Sequence, residues 1–228
     1  AFNAAEGISE EGTKKDSLEF SLMKARLEIY YETIPSNALR LYESKVSENP
    51  TDANIYGLAL AHKNNNNFED GIKLLNSLIY KYPKNLVINT TKVDFLAHFN
   101  KYDEALSLAN KFLEISPKNY PLSISKSKIL LLMKKYFESE EIIRDQLLRK
   151  NDDPELWLLL SEIQKTSQNI VGYHQSRAEY YLLLGQYEMA LNQLEFALQL
   201  TQNNFQVSDR IMTKIVEIKK YLQNSRGL

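Results

Sequence analysis

Residues 178–200 read AEYYLLLGQYEMALNQLEFALQL, a leucine- and tyrosine-rich stretch cut in the middle by Gly185 and the polar run behind it. A membrane-spanning helix needs about 18 or more uninterrupted apolar residues. Glu179, Gln186, Glu188, Asn192, Gln193 and Glu195 break this one up. The stretch reads instead as two antiparallel helices joined by a tight turn, with Gly185 in the turn and Ala190 where the helices touch. Such a unit cannot bury its apolar face alone, so the pattern has to recur.

It does recur. An aromatic follows a polar turn at Phe68, Tyr102, Tyr136 and Tyr187, at spacings of 34, 34 and 51. Three residues after each comes a small side chain, at Gly71, Ala105, Ser139 and Ala190, and Ala38 holds the same place one unit earlier. Small residues let two helix backbones approach closely. Asn66, Asn100 and Gly185 occupy the turns, and Asn and Gly enter the left-handed conformation at least cost. Pro50, Pro83 and Pro117 close successive units, because proline cannot continue a helix. A 34-residue period of this kind marks a tetratricopeptide-type array.

The 51-residue interval is one and a half periods. Within LWLLLSEIQKTSQNIVGYHQSRAEYYLLLG two helices meet at a short SQN turn, and Tyr173 stands where a small residue is expected. The helix carrying Tyr173 is therefore shared between two units. Asp153, Pro154 and Glu155 form a strong helix start before it. Ile211, Ile215, Ile218 and Leu222 make the apolar stripe of a closing helix. At the other end Asp16-Ser17-Leu18-Glu19 resembles a capping box, and Pro35 takes the place of a turn aromatic. The expected fold is all-α: a tetratricopeptide-type α-solenoid of about five hairpins, one irregular with a shared helix, plus a C-terminal capping helix. Residues 1–16 read as a linker or expression remnant and 17–151 as four repeats. Residues 152–223 read as the irregular unit, last repeat and cap, and 224–228 as a tail.

The chain of 228 residues carries 28 basic and 29 acidic side chains, a net charge of −1. That balance gives no general pull on nucleic acid, which requires clustered cations. The small basic group Lys214, Lys219, Lys220 and Arg226 reads as the solvated face of the last helix. There are no cysteines, which excludes disulfides, thiolate catalysis and cysteine-held zinc. His62, His98 and His174 stand in no metal-binding spacing, and neither a phosphate loop nor a nucleophile elbow is present. No catalytic residue, metal ligand or cofactor is expected in this segment.

What an array of this type offers is a groove lined by the first helix of each hairpin. In that register the lining is Tyr56, Leu60 and Asn64, then Thr90, Asp94 and His98, then Ile124, Lys128 and Leu131. Only Asn64 and Lys128 suit the Lys/Asn/Arg ladder with which co-chaperone arrays clamp a terminal carboxylate. An extended or partly unfolded polypeptide, held by aromatic and backbone-directed contacts, is the expected partner.

The C-terminal third carries more than generic repeats. DDPELWLLLSEIQKTSQ, followed by NIVGYHQSRAEYYLLLGQYEMALNQLEFALQLTQNNFQVSDRIMTKIVEIKKYL, closely resembles the C-terminal region of the periplasmic β-barrel assembly-enhancing metalloproteases. SLEFSLMKARLEIYY resembles the start of the same repeat region. In that family a zinc peptidase domain with HExxH precedes the repeats and handles outer-membrane β-barrel precursors. The resemblance implies a periplasmic location, partners among those precursors or the barrel-assembly machinery, and zinc only in a preceding domain. No catalytic or zinc-binding residue carries over. The competing expectation is a freestanding tetratricopeptide scaffold or adaptor with no protease domain.

Overall fold

The computed structural model describes residues 17–201 and 203–226, so the expectations for 1–16 and for the last two residues lie outside the described residues. Twelve helices follow one another there: α1 (Leu18–Tyr31), α2 (Pro35–Glu48), α3 (Asp52–Asn64), α4 (Phe68–Lys81), α5 (Leu86–His98), α6 (Tyr102–Ile115), α7 (Tyr120–Leu132), α8 (Tyr136–Leu147), α9 (Pro154–Thr166), α10 (Ile170–Leu183), α11 (Tyr187–Gln199) and α12 (Phe205–Arg226). Among the described residues no strand occurs. The chain forms two compact units that divide between Ala105 and Leu106, inside α6.

Short polar side chains start the helices by accepting hydrogen bonds from otherwise orphaned N–H groups. Ser17 accepts from Phe20 N at 3.2 Å, Thr51 from Asn54 N, Asn85 from Ile88 N, Asp153 from Glu155 N and Asn169 from Gly172 N. Five of the tight turns close alike. Asn66, Asn100, Lys134 and Gln168 have positive φ at a strict interval of 34, and Gly185 follows 17 residues later at φ 71°. The next residue then donates its N–H five positions back: Asn67 to His62, Lys101 to Leu96, Lys135 to Leu130, Asn169 to Gln164 and Gln186 to Tyr181, all at 2.8–2.9 Å. This is the Schellman closure of a helix. Two of its left-handed residues, Lys134 and Gln168, are types that do not advertise the conformation.

In the first unit, Leu22, Ala25 and Ile29 of α1 meet Ala38 and Tyr42 of α2 and Tyr56, Ala59 and Leu60 of α3 in one buried cluster. Ala38 is enclosed, as the contact between hairpin helices requires. At Gly71 a Cβ would stand 2.6 Å from the Phe95 ring, so the missing side chain makes room for the Phe68, Phe95 and Phe99 trio. Ala105, at the end of this unit, is also buried.

In the second unit Ser139 takes the small position and exchanges hydrogen bonds with Ser127 across the α7–α8 contact, its hydroxyl reaching the Ser127 carbonyl at 2.8 Å. Tyr136 opens α8, and Tyr187 opens α11, where its ring packs on Tyr221 at 5.0 Å. Ala190 is fully buried among Leu191, Leu194, Ile211, Ile215 and Ile218. Helix α10 packs on both α9 and α11. It is the helix shared between two hairpins, and it explains the half-period step from Gln168 to Gly185. Of the basic cluster, Lys214 pairs with Glu179 and Lys219 with Glu195.

Candidate ligand-binding site

The site is built by three helices of the first unit. Arg26, Ile29 and Tyr30 come from α1, Leu60, Lys63 and Asn64 from α3, and Thr91 and Asp94 from α5; together they line a cavity of about 230 Å³. Each helix offers positions three or four apart, which share one helical face. Arg26, Leu60 and Asp94 are separated by one repeat, 34 residues, in turn.

Hydrogen bonds hold the polar wall. Arg26 Nε donates to the Tyr56 hydroxyl at 3.1 Å, and its terminal nitrogen donates to Thr91 Oγ1. Thr91 Oγ1 gives its own proton to the Val87 carbonyl at 2.8 Å, which leaves the Tyr56 hydroxyl to donate to it at 2.7 Å. Both hydroxyls thereby donate and accept, as a buried network needs. Burial pushes the Tyr56 phenol up, while Arg26 and Thr91 pull the other way. Lys63 is different: burial holds its ammonium below the ordinary lysine value, Asp94 draws it back up, and Arg26 lowers it further. Burial followed by the Lys63 charge lowers His98 as well.

The sequence-derived groove residues fall into a graded series. Tyr56 and Thr90 turn into the core, Leu60 is buried against the cavity, and Asn64 and Asp94 are half-exposed at its wall. His98 is exposed and bonds Asn66 at 3.2 Å. The grading follows from geometry. Positions i, i+4 and i+8 of an α-helix rotate by about 40° per step, so such a triplet slants from core to solvent. In the second unit Ile124 and Leu131 pack partly buried on the α8–α9 cluster, and Lys128 is exposed.

The groove expected from the sequence omits Arg26, Ile29, Tyr30, Lys63 and Thr91. The signal for Arg26 was present: it lies one period before Leu60, and extending the register back by one repeat reaches it. Lys63 and Thr91 sit one residue beside the chosen register and become visible only when the three helices are brought together.

Two features of the second unit complete the picture. A hollow of about 720 Å³ is lined by Leu147, Leu148 and Trp157, and two of its charged residues are already paired: Arg144 with Glu140 at 2.6 Å and Asp145 with Lys118 at 3.4 Å. Along α10, His174 bonds Gln193 at 2.9 Å between the rings of Tyr173 and Phe196, and Arg177 lies over Tyr180 and Tyr181 at 5.2 and 4.7 Å. Among the described residues no group of three or more His, Asp or Glu is placed to hold a metal ion. No described helix is long and apolar enough to cross a membrane.

The tetratricopeptide repeat family model matches residues 96–163. Among solved structures, a thermophilic TPR protein of Thermus thermophilus aligns with a TM-score of 0.53 at 18% identity, over 87% of this chain and 98% of that one. PilW, a widely conserved type IV pilus biogenesis factor, aligns at 0.59 and 15% identity, over 87% of this chain and 100% of that one. Pseudomonas aeruginosa pilF aligns at 0.55 and 13% identity, over 90% and 96%. Identities this low establish likeness of fold. No curated protein matches the chain. The fold is a tetratricopeptide-type α-solenoid, and the repeat region is a protein–protein interaction module whose partners are polypeptides.

Proposed function

We propose that this chain is the substrate- and partner-binding repeat region of a periplasmic zinc metalloprotease that acts on outer-membrane β-barrel precursors, and that the cavity between α1, α3 and α5 takes up part of a client chain. The cavity carries this reading. It combines an aliphatic floor from Ile29 and Leu60, an exposed aromatic rim at Tyr30, and a polar wall of Arg26, Lys63, Asn64 and Asp94. Concave sites with an apolar base and a few convergent polar groups are where ligands bind. The periplasmic and protease parts rest on the resemblance of DDPELW and of HQSRAEYYLLLGQY, whose structured counterpart is the aromatic and cationic face of α10.

Site-specific photocrosslinking tests the proposal. A benzophenone side chain at Tyr30 should capture an unfolded β-barrel precursor, whereas one at Tyr80, exposed on α4 and outside the cavity lining, should not. Equal capture from both positions, or from neither, rejects the cavity as the client site. Sequencing the gene upstream of Ala1 addresses the protease: an HExxH helix there supports it, and an upstream region without one leaves the freestanding scaffold.

A further inference from the structure

We infer that the α1–α3–α5 cavity is a binding site for a single carboxylate on a short hydrocarbon stem, received between Arg26 and Lys63. The inference deepens the polypeptide-binding reading and rests on it for the nature of the ligand; the carboxylate is supplied by an acidic side chain or by a chain terminus.

Charge is the first observation. Two cations, Arg26 and Lys63, meet one carboxylate, Asp94, among the residues lining the cavity. One positive charge is left to be matched, so a monoanion fits, while a dianion would also have to approach Asp94. Orientation is the second. Arg26 spends Nε on Tyr56 and a terminal nitrogen on Thr91, which fixes the plane of the guanidinium before any ligand arrives. A guanidinium carries five donors, so others remain for a ligand oxygen. Desolvation is the third. Burial depresses the Lys63 ammonium, and Asp94 offsets this only in part, since Arg26 works against it. A partly buried cation is costly until an anion is brought to it. The stem follows from Ile29 and Leu60 beside these groups, with the Asn64 amide available for a backbone group.

The three helices reach this arrangement from positions 26, 63 and 94, which do not all lie on the register of a Lys/Asn/Arg ladder. Lys63 lies one residue before Asn64, off the chosen stripe.

The test uses three small probes and the full chain, read by the Arg26 Nε–H signal and backbone amide shifts in NMR. N-acetyl-glutamate N-methylamide carries only a side-chain carboxylate, acetyl-glycyl-glycine only a terminal one, and N-acetyl-glutamine N-methylamide neither. At least one carboxylate probe should shift the Arg26 signal in a saturable way, and which of the two does so identifies the source. Lys63→Gln should weaken that binding tenfold or more. Because this substitution leaves the Tyr56–Thr91 cluster alone, an unchanged amide spectrum elsewhere confirms the fold, and Arg26→Gln serves as the second variant. Equal shifts with the glutamine probe, no shift with either carboxylate, or undiminished binding in Lys63→Gln overturns the inference. Client crosslinking from Tyr30 that persists without carboxylate preference removes the inference and leaves the polypeptide reading standing. Carboxylate binding without any polypeptide capture removes that reading instead.

Discussion

Arg26 of α1 donates from Nε to the hydroxyl of Tyr56 on α3 at 3.1 Å, and both groups meet Thr91 of α5, so one cluster joins residues 30 and 65 positions apart. Tyr56 is fully buried, and its ring belongs to the core while its oxygen belongs to the site. The two parts can be separated. Tyr56→Phe keeps the ring and strands Arg26 Nε; it should cost about 1–2 kcal/mol in denaturant unfolding and leave helical content unchanged. Tyr56→Ala should cost about 3–5 kcal/mol, because it opens a cavity at the centre of the first unit. Equal losses for the two variants would show that the hydroxyl network contributes nothing separable.

Lys63 should behave as a residue kept at a cost to stability. Its folded-state pKa lies below the ordinary lysine value. Between those two values the unfolded chain holds a proton that the folded chain has released, so stability rises with pH through that window. Lys63→Met should raise the melting temperature at neutral pH by about 2–4 °C and diminish the alkaline rise, part of which persists through Lys92, whose ammonium burial also holds low. Thermal melts from neutral pH up to the ordinary lysine value read both effects, and a lowered melting temperature for the variant would contradict them.

The Tyr42–Glu28–Lys45 cluster predicts sensitivity at both ends of the pH scale. Tyr42 donates to Glu28 Oε2 at 2.8 Å, and Lys45 contacts the same oxygen. Burial pushes the Glu28 carboxyl up, but the bonds from Lys45 and Tyr42 outweigh it and hold it below the usual range. Its contribution is present above the ordinary carboxylate value and is lost as pH falls through the depressed one. Burial, then the Glu28 hydrogen bond, raises the Tyr42 phenol far above 10.0. That contribution is present below the ordinary phenol value and fades as pH climbs beyond it. Tyr42→Phe should lessen the alkaline loss, to which the raised Tyr56 and Tyr120 phenols also contribute, and move the acid transition to higher pH; unchanged profiles would refute the coupling.

The turns and glycines separate backbone strain from crowding. Lys134 and Gln168 sit at φ 61° and 63°. Replacing either by Gly should stabilise the chain by about 0.5–1 kcal/mol, the relief of left-handed strain less the entropy glycine gives up. Gly185→Ala meets no atom within 4 Å, so any loss there is conformational. Gly57→Ala should lose about 1–3 kcal/mol for the opposite reason, because its Cβ would overlap the Tyr42 ring. Urea unfolding of these variants gives the four signs directly.

Much of the architecture was legible because turn chemistry is local. Asn66, Asn100 and Gly185 mark left-handed closures by residue type, Ser17 and Asp153 mark helix starts, and Ala38, Ala105, Ser139 and Ala190 mark close contacts by size. The half-period step at α10 was legible from spacing alone. The turn residues Lys134 and Gln168 were not legible, because the repeat imposes their conformation against their own preference.

The sequence by itself determined the 34-residue period, the all-helical class and the helix shared between two hairpins, since each depends on contacts within one repeat length. Only the tertiary structure decided which residues form the site. A triplet stepping by four turns about 80° around its helix, so Tyr56 and Thr90 enter the core while His98 reaches solvent. The meeting of Arg26, Lys63 and Asp94 depends on three helices packed side by side, and no single repeat contains that information.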